Sequence, residues 1–151
     1  MAKIDINQIK KLRSETGAGI NDIKSALEEA KGDEAKAKEQ LRKKGFEKAD
    51  KKASREIKAG RVFSYVHHSG TVGAMITLGC ETDFVAKTDE FQLLGRELAM
   101  QAASMKPENK EEFLKQDYIR DPQKTIETLI KEVVAKTGEN CQLLDFKRFE
   151  V

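Results

Sequence analysis

The hydrophobic pattern of this 151-residue chain changes period twice, and this restricts the fold more than any other feature. Apolar residues recur at helical spacing to about residue 45, alternate from Arg61 to Leu78, and recur at helical spacing again after residue 88. Alternation places successive side chains on opposite faces of a strand, and Ser69-Gly70 marks a turn between two strands. The pattern predicts an α+β protein with a small antiparallel sheet packed with helices.

The first 45 residues are predicted to form three short helices. Asp5 and Gln8 make a capping-box pattern before the first helix, and Asp33 is a candidate N-cap of the third. Three glycines follow the apolar stripes and are expected to end the helices: Gly17, Gly32 and Gly45. Helices this short, joined by tight turns, predict an N-terminal domain at residues 1–45 similar to ubiquitin-associated domains.

Charge is unevenly distributed and favours two units. Residues 1–60 contain 16 Lys and Arg against 11 Asp and Glu, whereas residues 61–151 contain 12 against 15. The lysine-rich residues 46–60 are predicted to be a basic connector between the N-terminal domain and an α+β core domain at residues 61–151.

Two helices of the core domain have recognisable starts. Thr88 is a candidate N-cap for a helix at about 88–105. Asp121 is the candidate cap of a second helix with Pro122 at its first position, where a missing N–H costs nothing. This second helix is expected to end at Gly138.

The sheet is predicted to keep one face free of helices. The hairpin pattern suggests a face with Phe63, Tyr65 and Met75. An exposed apolar face of this kind indicates a partner or self-association surface, and coverage by the connector is the alternative. Residues 141–151 are predicted to be the last strand, with a bulge at Leu143-Leu144.

Few residues suit catalysis or metal binding. His67 and His68 are adjacent on a predicted strand, so their side chains are expected to point to opposite faces. Cys80 and Cys141 match no zinc-site spacing. We therefore predict no catalytic residue, metal ligand or cofactor. The absence of an apolar signal region or membrane-length run favours a reduced, cytoplasmic protein.

Residues 36–61 are the strongest argument for nucleic-acid binding, because they contain 11 Lys and Arg against 4 acidic residues. Such a stripe can neutralise several phosphates, as in a small RNA- or ribosome-associated protein. Interspersed acids and a single aromatic residue favour a solvated linker instead, so nucleic acid is not expected as a partner. A ubiquitin-type binding module at residues 1–45 is a third interpretation.

The run Thr82-Asp83-Phe84-Val85-Ala86-Lys87 follows the hairpin directly. From pattern alone, Phe84 is equally suited to a core position and to insertion into a partner. Three blocks of the sequence together resemble the elongation factor Ts family: LRSETGAGINDIKSALEEAKGD at 12–33, VHHSGTVGAMITLGCETDFVAK at 66–87 and KTGENCQLLDFKRFEV at 136–151.

The resemblance implies a guanine-nucleotide exchange factor that binds GDP-bound elongation factor Tu, disturbs its Mg²⁺ and phosphate site, and promotes GDP release during translation elongation. It implies contacts through the recognition turn, the N-terminal domain, the HHSG turn and a turn near the C terminus. The residues that match these motifs are Thr82, Asp83, Phe84 and Val85; Arg13, Ile20, Asn21 and Lys24; His68; and Thr137 and Gly138.

The resemblance also implies a difference in length. Longer family members carry a second core subdomain in an interval that is reduced here to about residues 106–120. Pairing of two copies through the apolar sheet face can compensate, so we predict a homodimer.

Overall fold

The structure is a computed structural model that describes residues 3–151, and its fold is α+β as predicted. Its elements, in chain order, are α1 (Ile6–Thr16), α2 (Ile20–Glu29), α3 (Glu34–Lys52), β1 (Ala59–Val66), β2 (Val72–Cys80), α4 (Asp83–Ala86), α5 (Asp89–Met105), α6 (Lys110–Lys115), β3 (Asp117–Tyr118), β4 (Asp121–Thr125), α7 (Ile126–Thr137) and β5 (Cys141–Glu150). The main sheet is antiparallel with β2 between β1 and β5, and β3 pairs with β4.

Local capping signals place several helix ends correctly. Asp5 and Gln8 form the predicted capping box of α1, and Asp33 accepts a 3.1 Å hydrogen bond from the N–H of Lys36 at the start of α3. Thr88 caps α5 as predicted. Two predicted helix ends are also confirmed, because left-handed glycines follow α1 and α7 at Gly17 and Gly138.

The predicted end of the third helix at Gly45 is wrong, because α3 continues to Lys52. Gly45 lies where α3 approaches α7: a Cβ at this position would lie 2.9 Å from the Cβ of Ala135. The glycine therefore permits close helix packing, and residues 46–52 of the predicted connector are helical.

The division into units at 1–45, 46–60 and 61–151 stays a prediction. Within the described residues, one buried cluster lies in α1–α3 and a second joins Ala49 to the sheet and its helices.

The predicted helix start at Asp121 is also wrong. Pro122 lies in β4, which pairs with β3, and α7 begins only at Ile126. Thr125 is the actual cap, since its hydroxyl accepts a 3.2 Å hydrogen bond from the N–H of Thr128. The threonine cap takes precedence over the Asp-Pro signal because the preceding residues are paired in a strand.

The inner face of the sheet packs against α5, and Phe63 belongs to it. The Phe63 ring lies against Gly95 and 6.0 Å from the ring of Phe91. Tyr65 is partly buried against the same core. The predicted open face was therefore wrong for these two residues, although the predicted bulge is confirmed at Leu144, where the pairing of β2 with β5 shifts register.

The outer face of the sheet is the exposed one. Met75 pairs with Ser64, and residues paired across two strands lie on the same face of a sheet. Residues two positions apart in a strand also share a face, so Met75 lies on the same face as Val62 and Val66. The exposed apolar residues of this face are Val62, Val66, Met75 and Phe149, between 50% and 69% exposed. Ile57 of the connector lies against this face at Gly79, near the end of the central strand β2. No helix within residues 3–151 combines the length and apolar character needed to cross a membrane.

Candidate functional site

Phe84 projects from the surface and is 86% exposed. It lies in α4, a single turn that follows β2 almost directly. Val85 and Ala86 of the same turn are buried in the core, so the turn is anchored on one side and presents Phe84 on the other. The interpretation of Phe84 as a core residue is therefore wrong. A fixed, exposed aromatic ring is typical of the anchors that proteins insert into partners.

Asp83 precedes Phe84 and lies between two cations. Its Oδ1 atom lies 2.7 Å from Nη2 of Arg61, and its Oδ2 atom lies 2.9 Å from Nζ of Lys87. The hydrogen bond from Lys87, followed by that from Arg61, lowers the pKa of Asp83. The carboxylate is thus charged at neutral pH, and all three side chains are more than a third exposed. Exposed ion pairs are weak, so a bound protein can replace these partners at little cost.

Thr82 connects the turn to a distant part of the chain. Its hydroxyl oxygen accepts a 3.4 Å hydrogen bond from the N–H of Val85 and caps α4. Its own N–H and hydroxyl donate to the carboxylate of Glu139 at 2.9 and 2.6 Å. Beside this contact, the N–H of Asn140 donates to Glu81 at 2.7 Å. The segment before Phe84 is therefore bonded to the segment that follows α7.

A lysine-lined cleft separates the α1–α2 turn from the turn after α7. Its volume is about 320 Å³, and its lining includes Gly17, Gly19, Lys44, Lys48, Lys52, Thr137 and Gly138. The two turns approach closely, since a Cβ at Gly17 would lie 2.8 Å from the Cα of Lys136. The structure thus brings the predicted contact turn at Thr137 and Gly138 beside the N-terminal helices.

The predicted N-terminal contact residues are exposed on α1 and α2: Arg13, Ile20, Asn21 and Lys24. Ile20, which is 44% exposed, directly follows Gly19 at the rim of the cleft. These side chains are therefore accessible to a partner that also meets the α7 turn.

Comparison with known proteins identifies the family. The family model described as elongation factor TS matches residues 81–151, which include the Phe84 turn, α5, α7 and β5. The chain is 41% identical to elongation factor Ts of Thermotoga maritima, with 99% of this chain and 96% of the relative covered. It is 48% identical to elongation factor Ts of Aquifex aeolicus, with 97% of this chain and 52% of the relative covered.

The chain belongs to the elongation factor Ts family. It is accordingly a translation elongation factor of protein biosynthesis.

Elongation factor Ts proteins differ in length, and this chain is a short one. The alignment with the Thermotoga maritima protein extends over 192 residues, 41 more than the 151 of this chain. Elongation factor Ts of Rippkaea orientalis is 38% identical, and this chain covers 78% of it. In this family member, the interval 106–120 contains only α6 and β3.

Two other predicted contact residues are placed apart from the exposed surface around Phe84. Val85 is only 7% exposed, and its side chain packs in the core. His68 lies in the turn between β1 and β2, at the opposite end of the hairpin from Phe84. An eight-residue strand is roughly 27 Å long, so a single chain does not bring His68 and Phe84 together. Their contact roles stay predictions.

The two histidines are arranged differently from the prediction. β1 ends at Val66, so His67 and His68 lie beyond the alternating region and their ring centroids are 4.0 Å apart. Within residues 3–151, no group of three or more potential ligands is placed to hold a metal ion. Burial raises the pKa of the Cys80 thiol, and burial likewise raises the pKa of Cys141 to about 12. Neither thiol has the lowered pKa of a nucleophilic cysteine.

Three residues around the site were missed by the sequence analysis: Arg61, Glu139 and Asn140. Arg61 is separated from its partner Asp83 by 22 positions, and Glu139 from Thr82 by 57. The only local signal was the cluster of polar residues between Gly138 and the last strand. That cluster becomes informative only when the register of β2 and β5 is known, because Cys80 pairs with Cys141 and thereby sets the two polar segments side by side.

Proposed function

We propose that this chain is a guanine-nucleotide exchange factor that binds elongation factor Tu with GDP and accelerates release of the nucleotide. The observation that carries the proposal is the 86% exposure of Phe84 on a turn anchored by buried neighbours. The factor performs no chemical step, so it is not an enzyme in the usual sense. It acts in the cytoplasm, where elongation factor Tu is recycled during translation.

The proposed mechanism is displacement of the groups that hold the nucleotide. A GTPase binds its nucleotide largely through Mg²⁺ and backbone amides around the phosphates. Phe84 and the ionised Asp83 enter beside this metal site, and the ring wedges between helices of the nucleotide-binding domain. Phosphate charge is then poorly compensated and GDP leaves faster. Linkage requires nucleotide to weaken binding of the factor by the same ratio, so GTP binding releases the factor.

The N-terminal helices supply a second contact in this proposal. Arg13, Ile20, Asn21 and Lys24 are exposed on α1 and α2, and Ile20 directly follows Gly19, which lines the cleft together with Thr137 and Gly138. Docking there and at Phe84 fixes the orientation of the GTPase at two separated points. Binding energy gained at the first point can then be used to distort the nucleotide site at the second.

Ion pairing in the basic segment 36–61 favours the nucleotide-exchange function over RNA binding. Of the 11 Lys and Arg in residues 36–61, eight lie within 4.0 Å of an acidic side chain. Lys48, for example, lies 2.9 Å from Asp22. Partly neutralised lysines release fewer counterions when they meet phosphates, which weakens the case for nucleic acid.

Stopped-flow measurement of labelled GDP release from elongation factor Tu tests the proposal. We expect release to accelerate with the concentration of the factor. Replacing the exposed Lys51 and Lys58 with Gln is expected to leave the rate within about twofold, because exposed surface charges contribute little. Unaltered GDP release in the presence of the unmodified factor would contradict the proposal. Loss of activity only in the lysine variant, together with RNA binding by the unmodified chain, would favour the RNA-associated alternative.

We also propose that two copies pair through the outer face of the sheet. Val62, Val66, Met75 and Phe149 form an apolar surface on this face, and burying them in a second copy removes it from water. Sedimentation velocity at micromolar concentration is expected to detect a dimer. Phe149→Lys is expected to shift it to monomer, whereas Leu93→Lys, at an exposed position of α5, is not. A monomeric profile for the unmodified chain would exclude pairing.

A further inference from the structure

We propose that Glu139 is a positioning residue for nucleotide exchange: it holds Thr82 so that α4 presents Phe84 in one orientation. The inference rests on the exchange function proposed above, but its structural part is testable without elongation factor Tu. Glu139 lies in the loop between α7 and β5, and it is not one of the predicted contact residues.

The first step concerns the proton of the Thr82 hydroxyl. Glu139 accepts two hydrogen bonds from this one residue, from the backbone N–H at 2.9 Å and from the hydroxyl at 2.6 Å. A hydroxyl has one proton, and here it is directed to the carboxylate. Only lone pairs then remain for the N–H of Val85, which is the polarity that an N-cap needs. Glu139 therefore sets both the position and the hydrogen-bonding polarity of the cap.

The second step concerns how Glu139 itself is held. It follows Gly138, whose left-handed conformation ends α7, and its N–H lies 3.5 Å from the hydroxyl of Thr137. The next residue, Asn140, is 3% exposed and donates from Nδ2 to the carbonyl oxygen of Arg55 at 2.8 Å. Its backbone N–H donates to Glu81. The loop is thus fixed to α7, to the connector and to the residue before Thr82.

The third step concerns the weakness of α4 by itself. A helix of four residues is not stable by itself, because ordering the backbone of the first turn costs more free energy than its hydrogen bond contributes. Its orientation depends on what holds its ends. Val85 and Ala86 are buried at one end, and Gln92 donates to the carbonyl of Ala86 at 2.8 Å. At the other end, Glu139 bonds both the N–H and the hydroxyl of Thr82. The thiol of Cys80 also donates to the carbonyl oxygen of Thr82 at 3.1 Å, and Arg61 pairs with Asp83, but that pair is exposed and therefore weak.

The consequence is pre-organisation of the exposed ring. Without the Glu139 contact, α4 can pivot about its buried end, and Phe84 samples orientations that do not fit the partner. Ordering the turn on binding then costs free energy that the intact contact has already supplied. The maximal rate of GDP release should therefore fall, while the concentration of factor that gives half-maximal release, which also depends on the N-terminal contacts, changes less.

The test uses a fluorophore that the chain otherwise lacks. The sequence contains no Trp, so Phe84→Trp introduces a single reporter at the tip of the turn. In this background, Glu139→Ala is expected to add a fast local component to the fluorescence anisotropy decay. Glu127→Ala, at an exposed position of α7, is the matched control and should leave the decay unchanged. An unaltered decay in the Glu139→Ala protein would overturn the positioning role.

Nucleotide-exchange measurements on variants that retain Phe84 complete the test. Glu139→Ala is expected to lower the maximal rate of GDP release about tenfold, as for loss of a hydrogen bond to a charged group. Glu127→Ala, the control, should retain the parental rate, whereas Thr82→Val removes the hydroxyl that bonds Glu139 and should resemble Glu139→Ala. Measurements below the unfolding transition of each variant exclude global unfolding. An equal rate for Glu139→Ala and the parent overturns the inference, whereas absence of exchange in the parent overturns the proposed function alone.

Discussion

Phe84→Ala is expected to reduce the acceleration of GDP release about 100-fold while leaving the stability of the factor nearly unchanged. Moving a Phe side chain from water into a partner contributes about 2–3 kcal/mol, and each 1.4 kcal/mol changes a rate tenfold. In the free factor the side chain is 86% exposed, so its removal leaves no cavity in the core. The transition temperature should stay within about 2 °C of the parent.

Stopped-flow GDP release and a thermal melt of the same preparation measure the two effects. Leu93→Ala is the matched control, because Leu93 is a large apolar residue that is 54% exposed but lies on α5, outside the proposed contacts. Its exchange rate should equal that of the parent. If Phe84→Ala retained at least a third of the parental acceleration, the proposed wedge would be excluded.

Asp83 is expected to matter less than Phe84. Its carboxylate is already paired with Arg61 and Lys87, and both pairs are exposed. Any interaction with the partner's metal site must therefore exceed two existing weak pairs, and the net gain is smaller than that from burying an aromatic ring. This ranking follows from the paired state of Asp83, which the sequence alone did not reveal.

Features determined by neighbouring residues could be predicted from the sequence. Asp5 with Gln8, Asp33 and Thr88 all cap helices as expected, because an N-cap acts on N–H groups only two or three residues away. The bulge at Leu144 was visible for the same reason, as a local break in alternation. The α+β class followed from the change in period.

Features determined by tertiary contacts could not be predicted in this way. Gly45 looked like a helix end, but its role is to let α3 approach Ala135 of α7, which is 90 positions away. The exposed sheet face was misassigned because it depends on the pairing of Ser64 with Met75, not on the alternation within each strand. A glycine or an alternating pattern is compatible with several structural roles, and the residues that it contacts in the folded protein determine which role it has.

The same distinction between local and tertiary determinants applies to the candidate site. Resemblance of TDFVAK to the family motif pointed to Phe84, and the structure places that ring in solvent. The contact of Glu139 with Thr82, which holds this turn, could not be predicted from the sequence. The two residues are 57 positions apart and come together only when β2 pairs with β5.

Gly60→Ala is expected to be the most destabilising of the substitutions considered, by about 3 kcal/mol. Gly60 has a φ of 159°, and a Cβ there would lie well inside van der Waals contact with the carbonyl oxygen of Leu78 and 3.1 Å from the Cα of Gly79. These are backbone atoms of the central strand, so they cannot move aside as a flexible side chain could. A loss of this size lowers the transition temperature by about 6–12 °C in a domain of this length.

Gly70→Ala separates the steric effect from the backbone effect. Gly70 also has a positive φ, 71°, but a Cβ there would meet no atom within 4 Å. This variant should lose only about 1 kcal/mol, the cost of a left-handed residue. Thermal melts of the two variants are compared directly, and equal transition temperatures would mean that the close approach at Gly60 is not restrictive.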